Sequence, residues 1–459
     1  MLSEVSEPSD SVKSSTKCQA TETLTKKVKG PGPSSDLTSS HKKTKKQWLI
    51  YSLQIIRVVF MVITFLLSAI SIVITQLVFK WAFHYQFNIK QGVFALTKKH
   101  FVVLITAIMN AVCPSRIRVT GELSSMPKGT FTIINGELHS ALIPRSTVIA
   151  NHQIYTDWAF LWWVAYSANL GDSVYIILKD SLKKIPILGY GMENFKFIFL
   201  SRKWEKDQQT LRTSLKRLSF LNTVGTTNDY KNDIDVQQID GNAGGDKLKW
   251  PFCLILFPEG TNMSPSRREV SDKYCAKLGI PKLQNVLLPR ATGLRESLKL
   301  LKKSCDVVYD VTIGYSGVKK DEYGESNYTL GNVFIRGKAP KITDMYFRAI
   351  RLDEVPLGSD DLSEVDEARS LKDFEKWLFD LWYSKDVLMN TYYKYGTFTP
   401  DLVVTGESDS KQYNINSKYE VAIAPLKPRS HWEFLQVFAV PASILLIGRL
   451  LIKFIVSLI

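Results

Sequence analysis

The sequence has few of the residues that build metal, disulfide or redox sites. Its 459 residues include five cysteines and six histidines, and no two cysteines form a Cys-x-x-Cys pair. Cysteines scattered in this way exclude a disulfide framework and a cysteine-ligated metal site, and they suit a reducing compartment. We therefore assign the cysteines no functional role.

Signatures of nucleic-acid binding are missing too, although the chain is strongly basic. It shows no zinc-finger spacing, no RNP-like string, no tandem arginine patch and no internal repeat. The formal net charge of +15 nevertheless favours an anionic partner, which could be nucleic acid, an anionic lipid surface or a phosphorylated substrate. The missing signatures make nucleic acid the weakest of these three, so we predict no nucleic-acid partner.

A long apolar run lies close to each end of the chain. Residues 1–47 are rich in Ser, Thr and Lys and are predicted to form a disordered basic tail. The charge-free run Val58–Phe79 spans about 22 residues, roughly 33 Å as a helix, which is enough to cross a bilayer. Its length and its distance from the start exclude a cleavable signal peptide. We predict a membrane-anchoring region at 48–113, in which residues 101–112 are too short to cross and lie in the interface or re-enter.

The second apolar run, residues 434–459, is predicted to be a C-terminal membrane segment. Arg449 and Lys453 interrupt it, but long basic side chains near a helix end can reach the interface. Pro441 would kink a helix there, so a single span and a hairpin both stay open. Lysines flank the first run on both sides, and they give only a weak bias toward a cytosolic N-terminus.

Between the apolar ends, residues 114–400 have the pattern of a single α/β domain with a mixed sheet flanked by helices. Short runs rich in β-branched residues predict strands at SRIRVTGELS, RSTVIANH, SVYIILKD, FKFIFLSR, WPFCLILFP, NVLLPR and CDVVYDVTIGYS. A spacing of 3.6 predicts helices at TDWAFLWWVAYSAN, EKDQQTLRTSLKRLSFL and LRESLKLLKK, and a charged helical segment precedes the terminal apolar run. Residues 222–250 are predicted to be a flexible surface insertion and residues 401–433 a linker.

The most informative short stretch is IANHQIYTDW, residues 149–158, at the end of a predicted strand. Positions five apart on a straight helix are about 140° apart, so His152 and Asp157 cannot meet on one helix. They can meet if His152 lies in the turn after the strand and Asp157 in the first turn of the next helix, where Thr156 or Asp157 would cap. Asp157 would then fix the imidazole tautomer, and the other ring nitrogen could take a proton from a hydroxyl. The spacing alone is weak, because a capped helix with a satisfied histidine shows the same pattern.

Polar residues follow three further predicted strands. LILFPEGT ends in Glu259, Gly260 and Thr261, where the glycine allows close backbone approach and the threonine can donate to a phosphate oxygen. Arg202 follows FKFIFLSR and Arg290 follows NVLLPR, although each arginine alone is more simply explained by a surface ion pair. Because α/β sheets bind ligands at the carboxyl ends of their strands, the conjunction predicts a pocket for a phosphorylated alcohol.

These blocks resemble those of the lysophospholipid acyltransferase family, which includes 1-acylglycerol-3-phosphate and lysocardiolipin acyltransferases. NHQIYTDW, FIFLSRKWEKD, FPEGT and LLPRATGL stand in the family's order, and VVYDVTIGY and WLFDLWYSKDVLMNTYYKYGTF resemble the downstream region of its eukaryotic branch. The resemblance covers roughly residues 116–398. The long insertion at 222–250, and Leu-Pro in place of the commoner Val-Pro in the fourth block, leave the choice of acceptor open.

The resemblance implies transfer of a fatty acyl group from acyl-CoA to the free hydroxyl of a lysophospholipid such as 1-acylglycerol-3-phosphate. It implies that His152 is the base and that Asp157 orients it. Five residues would bind the phosphate of the lysophospholipid or order the pocket: Arg202, Glu259, Gly260, Thr261 and Arg290. No metal, no covalent acyl-enzyme and no cofactor beyond the acyl-CoA co-substrate is implied. The expected setting is the endoplasmic reticulum membrane, with a cytosol-facing site and anionic lipid as a further partner.

Two other functional classes stay open at this point. A lipid esterase or thioesterase needs a nucleophilic Ser or Cys, but the chain has no Gly-x-Ser-x-Gly string, and Ser201 lies beside a block without such an elbow. A non-catalytic membrane protein with the same fold would not need both His152 and Asp157. Release of fatty acid without acylated lipid would favour the first class, and lipid profiles unchanged by deletion would favour the second.

Overall fold

The computed structural model of the protein describes residues 36–201, 203–227, 247–359, 363–401 and 413–458. The chain divides into a short N-terminal unit, residues 1–53, and a large unit, residues 54–459. Of the disordered tail predicted for residues 1–47, the part up to residue 35 lies outside the described residues. From Asp36 onward that prediction is wrong, because a helix already begins there, and no Pro or Gly interrupts the sequence between Asp36 and the apolar run.

The described elements follow one another as α1 (Asp36–Ala82), α2 (Phe87–Val112), β1 (Arg116–Glu122), β2 (Phe131–Ile134), β3 (Glu137–Ser140), β4 (Arg145–Ala150), α3 (Asp157–Ser167), β5 (Val174–Lys179), α4 (Leu188–Asn194), β6 (Ile198–Leu200), α5 (Trp204–Thr223), β7 (Phe252–Leu256), α6 (Pro265–Leu278), α7 (Ala291–Leu300), β8 (Val307–Tyr315), α8 (Gly324–Asn327), β9 (Ile342–Arg351), α9 (Glu364–Tyr395), β10 (Tyr413–Ile415), β11 (Tyr419–Pro425), α10 (His431–Gln436) and α11 (Ala439–Leu458).

Nine of these strands form one mixed sheet in the order β10-β11-β1-β9-β8-β4-β7-β5-β6, while β2 and β3 pair separately. The half that matters for the site is parallel, with β4 between β8 and β7. Ile149 of β4 lies opposite Leu256 of β7, and Ala150 lies opposite Val311 of β8. The chain therefore leaves β4 and β7 at the same edge of the sheet, where open α/β sheets bind their ligands.

Helices cover both faces of this sheet, so its central strands are apolar without strict alternation. In β4, Val148 and Ala150 pack in the core that contains α2 and α3, while Ile149 packs in the core that contains α5, α7 and α9. The five residues of β7 are all buried and divide in the same way between the two cores. The mixed sheet with flanking helices predicted from the sequence is confirmed.

Three described helices are long and apolar enough to cross a membrane: Tyr51–Ala82 within α1, α2 itself, and Ala439–Ser457 within α11. The span in α11 buries none of its residues inside the protein and the span in α1 buries 28%, so both present apolar side chains outward, as lipid contact requires. The span in α2 buries 61%, since this helix packs against the sheet domain. Residues 101–112, which we expected to be too short to cross, form the second half of a helix that begins at Phe87.

The C-terminal membrane segment is a single helix rather than a hairpin. Pro441 is the third residue of α11, and a helix tolerates proline in its first turn because the amide there has no helical partner. Proline at this position therefore does not require the kink that we expected at Pro441.

The segment predicted as a linker, residues 401–433, contributes strands to the main sheet. β11 pairs antiparallel with β1 over seven residues, from Arg116 opposite Pro425 to Glu122 opposite Tyr419. The sheet domain therefore continues well past its predicted end at residue 400. In the predicted insertion 222–250, Thr226 and Leu248 form a β-bridge, and residues 228–246 lie outside the described residues.

The predicted strand NVLLPR, residues 285–290, is an irregular segment. Val286 and Leu287 are buried, which accounts for its apolar pattern. Its amides, however, bind elsewhere: that of Asn285 donates to the Asp386 carboxylate, and that of Leu288 to the Ser271 hydroxyl. Amides used in this way cannot join a sheet. The strand prediction is wrong here, although the segment is placed by specific bonds.

Candidate active site

The turn between β4 and α3 brings His152 and Asp157 together. The His152 Nδ1 lies 2.8 Å from Asp157 Oδ2. The same carboxylate oxygen accepts the backbone amides of Gln153 at 2.6 Å and Ile154 at 3.1 Å. Asp157 is the first residue of α3, and Thr156 occupies the cap position without a capping side-chain bond. Asp157, rather than Thr156, therefore closes the turn, and in doing so it fixes the histidine.

The two side chains differ in exposure in the way that a proton-transfer pair needs. The Asp157 side chain is 0% exposed, whereas that of His152 is 17% exposed. The imidazole stacks on the Phe257 ring, with centroids 4.3 Å apart and planes 23° apart. Within the described part of the chain, Nε2 of His152 makes no hydrogen bond, so it can meet a hydroxyl from outside.

A tyrosine that was not predicted from the sequence completes the partners of the Asp157 carboxylate. Tyr315, the last residue of β8, donates its phenol proton to Asp157 Oδ1. Burial and the neighbouring Asp157 raise the pKa of Tyr315 well above its ordinary value, so it stays protonated as a donor. Asn151 ties the same two strands together, because its side-chain amide bonds both the amide and the carbonyl of Ile313.

The turn after β7 places Glu259 inward and Gly260 close to Arg290. Gly260 has φ of +72°, and its amide donates to the Phe257 carbonyl at 2.9 Å. A Cβ at Gly260 would lie 3.5 Å from Arg290 Nε, so the glycine lets the guanidinium lie directly over the turn. The Arg290 amide donates to the Pro258 carbonyl at 2.8 Å, which fixes the start of α7 against this turn.

Glu259 orders the pocket rather than facing a substrate. Its side chain is buried, and Oε1 accepts the Trp382 indole at 3.3 Å. Burial raises the pKa of Glu259 to about 8; the Trp382 indole and the His152 and Leu287 amides act in the opposite direction. A carboxyl with this pKa is largely neutral near pH 7, as suits a buried group in the turn after β7.

The remaining predicted anion-binding residues differ in their exposure and in their partners. Arg290 is exposed and takes part in no ion pair with the described residues, so its guanidinium is available to an anion. Thr261 is half-buried beside it. Arg202 lies outside the described residues. Ser201, the one candidate esterase nucleophile, precedes α5 and donates its hydroxyl to Asp207 Oδ1 in the first turn of that helix at 2.8 Å.

In the described part of the chain, no cluster of metal-ligand residues and no activated thiol accompanies the imidazole. No group of three or more His, Cys, Asp or Glu that could hold a metal occurs in the described part of the chain. The four described cysteines, Cys113, Cys253, Cys275 and Cys305, are free and buried. Burial raises the pKa of the Cys253 thiol to about 12, which disfavours the thiolate. The reactive group that the geometry offers is the imidazole.

Comparison with known proteins points to the same chemistry. A family model described as Acyltransferase matches residues 137–316, and one described as Acyltransferase C-terminus matches residues 334–424. A Saccharomyces cerevisiae protein named 2-acyl-1-lysophosphatidylinositol acyltransferase is 45% identical over 343 residues, which is 72% of this chain and 82% of the relative. An uncharacterized acyltransferase of the same yeast is 38% identical over 73% of this chain and 80% of its own length. Human 1-acyl-sn-glycerol-3-phosphate acyltransferase delta is 27% identical over 55% of this chain and 54% of its own length.

Proposed function

The chain belongs to the lysophospholipid acyltransferase family, and we propose that it transfers a fatty acyl group from acyl-CoA to the free hydroxyl of a lysophospholipid. One observation carries the proposal: His152 is bonded through Nδ1 to a buried carboxylate at 2.8 Å while its Nε2 side is open. A binding protein has no use for a histidine fixed in this way, whereas a general base does.

The proposed transfer uses that geometry in two steps. Nε2 of His152 removes the proton from the acceptor hydroxyl as the oxygen attacks the thioester carbonyl carbon of acyl-CoA. The tetrahedral intermediate then expels the CoA sulfur as the C–S bond breaks, and the imidazolium returns its proton to that sulfur. Asp157 stabilises the transient imidazolium and holds the tautomer with the proton on Nδ1. Ester and free thiol are the products, and no acyl-enzyme is formed.

The anion-binding side of the pocket is the turn 259–261 together with Arg290. The exposed Arg290 guanidinium over Gly260 and the Thr261 hydroxyl offer donors to the phosphate of a lysophospholipid. Phosphate held there would place the glycerol hydroxyl toward His152, because the carboxyl ends of β4 and β7 are adjacent. We propose that Arg202, which follows the end of β6, is a further cation for the acceptor or for acyl-CoA.

The acceptor head group is proposed from the most similar of the relatives named above. The yeast protein that is 45% identical over 343 residues is named for lysophosphatidylinositol, while the human relative that is 27% identical over 254 residues is named for 1-acyl-sn-glycerol-3-phosphate. We therefore propose lysophosphatidylinositol as the acceptor to test first, with 1-acylglycerol-3-phosphate as the comparison.

The membrane setting supports this chemistry. A two-tailed product is nearly insoluble in water, and a site tied to apolar helices can receive a lysolipid from the bilayer. The formal net charge of +15 would attract anionic head groups and acyl-CoA phosphates. We propose the endoplasmic reticulum membrane, with the site facing cytosolic acyl-CoA. Protease cleavage within residues 222–250 in intact microsomes would support that orientation, and protection there would contradict it.

The test compares wild-type protein with His152→Ala in microsomes given labelled acyl-CoA and a panel of lysolipids. We expect wild type to form labelled diacyl lipid, and His152→Ala to lose about a thousandfold of that rate, the order expected when a fixed general base is removed. The control is His139→Ala, since His139 lies on the separate hairpin β2–β3. Full activity of His152→Ala at equal expression would refute the proposal. Labelled free fatty acid without labelled diacyl lipid would indicate hydrolysis instead.

A further inference from the structure

Three buried polar side chains project from one face of α9, the long helix near the C-terminal end of the sheet domain. They are Trp382, Lys385 and Asp386, at positions i, i+3 and i+4, which place side chains on the same face of a helix. Trp382 and Lys385 are 0% exposed and Asp386 is 8% exposed. Buried polar groups on a helix need partners, and each of these three finds its partner in a different part of the site.

The first two partners lie in the turn after β7 and in the middle of β8. The Trp382 indole donates to Glu259 Oε1 at 3.3 Å, in the turn after β7. The Lys385 ammonium donates to the Val311 carbonyl of β8 at 2.6 Å and pairs with the carboxylate of Asp310. β8 is the strand that ends in Tyr315, the donor to Asp157.

The third partner lies in the irregular segment before Arg290. The Asp386 carboxylate accepts the amide of Gln284 at 2.9 Å and that of Asn285 at 2.5 Å. The Asn285 carbonyl in turn accepts the Gln153 side chain at 3.1 Å. Gln153 directly follows His152, and its own amide bonds Asp157 at 2.6 Å. A continuous hydrogen-bonded path thus joins Asp386 to the carboxylate that orients the base.

We propose that Trp382, Lys385 and Asp386 are positioning residues for the transfer reaction, acting through Glu259, β8 and Gln153 to hold the His152–Asp157 pair. The inference rests on the proposed function, because it concerns how that base is held. All three side chains are buried, so we assign them a role through their partners rather than through contact with the substrate. α9 therefore couples the C-terminal part of the chain to the chemistry at the end of β4.

Packing alone does not explain why polar side chains are buried on this face of α9. A buried ion pair such as Lys385 with Asp310 is seldom more stable than apolar side chains of the same volume, because desolvation offsets the attraction. What such pairs contribute is a fixed register between the elements that they join. Arg348, which donates to the second Asp310 oxygen at 2.8 Å, adds to that fixation. Misplacement of a reacting group by about 1 Å can cost roughly 100-fold in rate, so register bears directly on kcat.

The test measures kcat and KM of detergent-solubilised Asp386→Asn and Trp382→Phe, per amount of folded protein, with labelled acyl-CoA and the preferred lysolipid. Asp386→Asn keeps the volume and weakens the amide bonds, while Trp382→Phe removes the bond to Glu259 and part of the ring whose centroid lies 5.0 Å from the Lys385 ammonium. Controls at exposed positions of the same helix are Asp373→Asn, which matches Asp386→Asn, and Lys376→Met. A conservative variant, Asp386→Glu, restores the carboxylate.

We expect kcat to fall about 10- to 100-fold in Asp386→Asn and about 10-fold in Trp382→Phe, with KM for either substrate within twofold of wild type. Asp386→Glu should recover part of kcat. Either variant with a wild-type kcat per folded protein overturns the inference, and so does a reduced yield of folded protein whose kcat is normal, because that shows a structural role only. Inactive wild type and controls would instead refute the proposed function.

Discussion

Tyr315 donates its phenol proton to Oδ1 of Asp157, which lies 158 positions earlier in the chain. With His152 and two amides on Oδ2, this bond gives the buried carboxylate partners on both oxygens. A carboxylate bonded at both oxygens is held in one orientation, which is what an orienting group for a general base requires. Tyr315 reaches it because β8 runs parallel to β4 and extends past its end.

Removal of the Tyr315 phenol should therefore lower the rate of acyl transfer while the protein stays folded. We expect Tyr315→Phe to reduce kcat about 10-fold, since a bond to a charged group contributes about 1.5–3 kcal/mol and tenfold in rate corresponds to about 1.4 kcal/mol. KM should change little. The control is Tyr309→Phe, whose phenol on the same strand accepts the Ile143 amide at 3.0 Å, away from the base. Equal effects of both substitutions on kcat would contradict a specific role for Tyr315.

Asp157→Asn tests the charge while keeping the shape. An asparagine can offer its amide hydrogens to Nδ1 and favour the wrong imidazole tautomer, so we expect kcat to fall about 10³- to 10⁴-fold with nearly unchanged KM. The measurement is acyl transfer at saturating concentrations of both substrates. A comparison with His152→Ala adds a second check: the double variant should be no slower than the worse single variant, because the two residues act as one unit. If the loss of kcat in the double variant equalled the product of the two single losses, the two residues would act independently.

Local pattern predicted how His152 and Asp157 meet, although the spacing alone was weak evidence for a catalytic pair. His152 and Asp157 are five residues apart, and an apolar strand followed by a helix start left only one way for them to meet. Tyr315 and Trp382 were not predicted, because their contacts depend on residues that are far away in the sequence. Tyr315 lies in an apolar strand and Trp382 in a charged helix, and neither pattern marks a functional residue. Their partners lie 158 and 123 positions away in the sequence. Only the folded arrangement of β8 and α9 brings the two side chains to the site.

Two errors in the predicted fold share a physical cause. Asn285 to Arg290 was predicted as a strand because its apolar residues are buried, but burial does not reveal where the amides bond, and here they bond to Asp386 and Ser271. β11 was overlooked because a short strand after a polar stretch resembles a linker. Its partner β1 lies about 300 residues earlier, a pairing that periodicity cannot show.

Gly260 offers a test of the anion site that separates strain from contact. Alanine at a φ of +72° costs about 1 kcal/mol, and its methyl would lie in van der Waals contact with Arg290 at 3.5 Å. We expect Gly260→Ala to raise KM for the lysolipid about 10-fold, because the methyl takes up space beside the guanidinium that the phosphate would occupy. Gly279→Ala is matched in backbone, with φ of +66° and nothing within 4 Å of the added carbon. It should lose similar stability at an unchanged KM. A raised KM in both variants would point to strain rather than to Arg290.

Glu259 should make the stability of the protein depend on pH in a distinctive direction. Burial raises its pKa from 4.5 to about 8, so the folded protein holds a proton there that the unfolded chain has released over that range. The contribution to stability is thus fully present below about pH 4.5 and is lost as the pH rises toward 8. Glu259→Gln, which is neutral at every pH, removes this dependence.

Thermal melting of detergent-solubilised wild type and Glu259→Gln between pH 5.5 and 8.5 measures this pH dependence of stability. We expect the variant to gain stability relative to wild type with rising pH, by a few kcal/mol over the range, on the scale of about 1.4 kcal/mol per pKa unit. Glu205→Gln, an exposed position in the first turn of α5, is the control and should track wild type. Parallel curves for wild type and Glu259→Gln would mean that the carboxyl is ionised in the folded protein, and that water or a cation reaches the turn after β7.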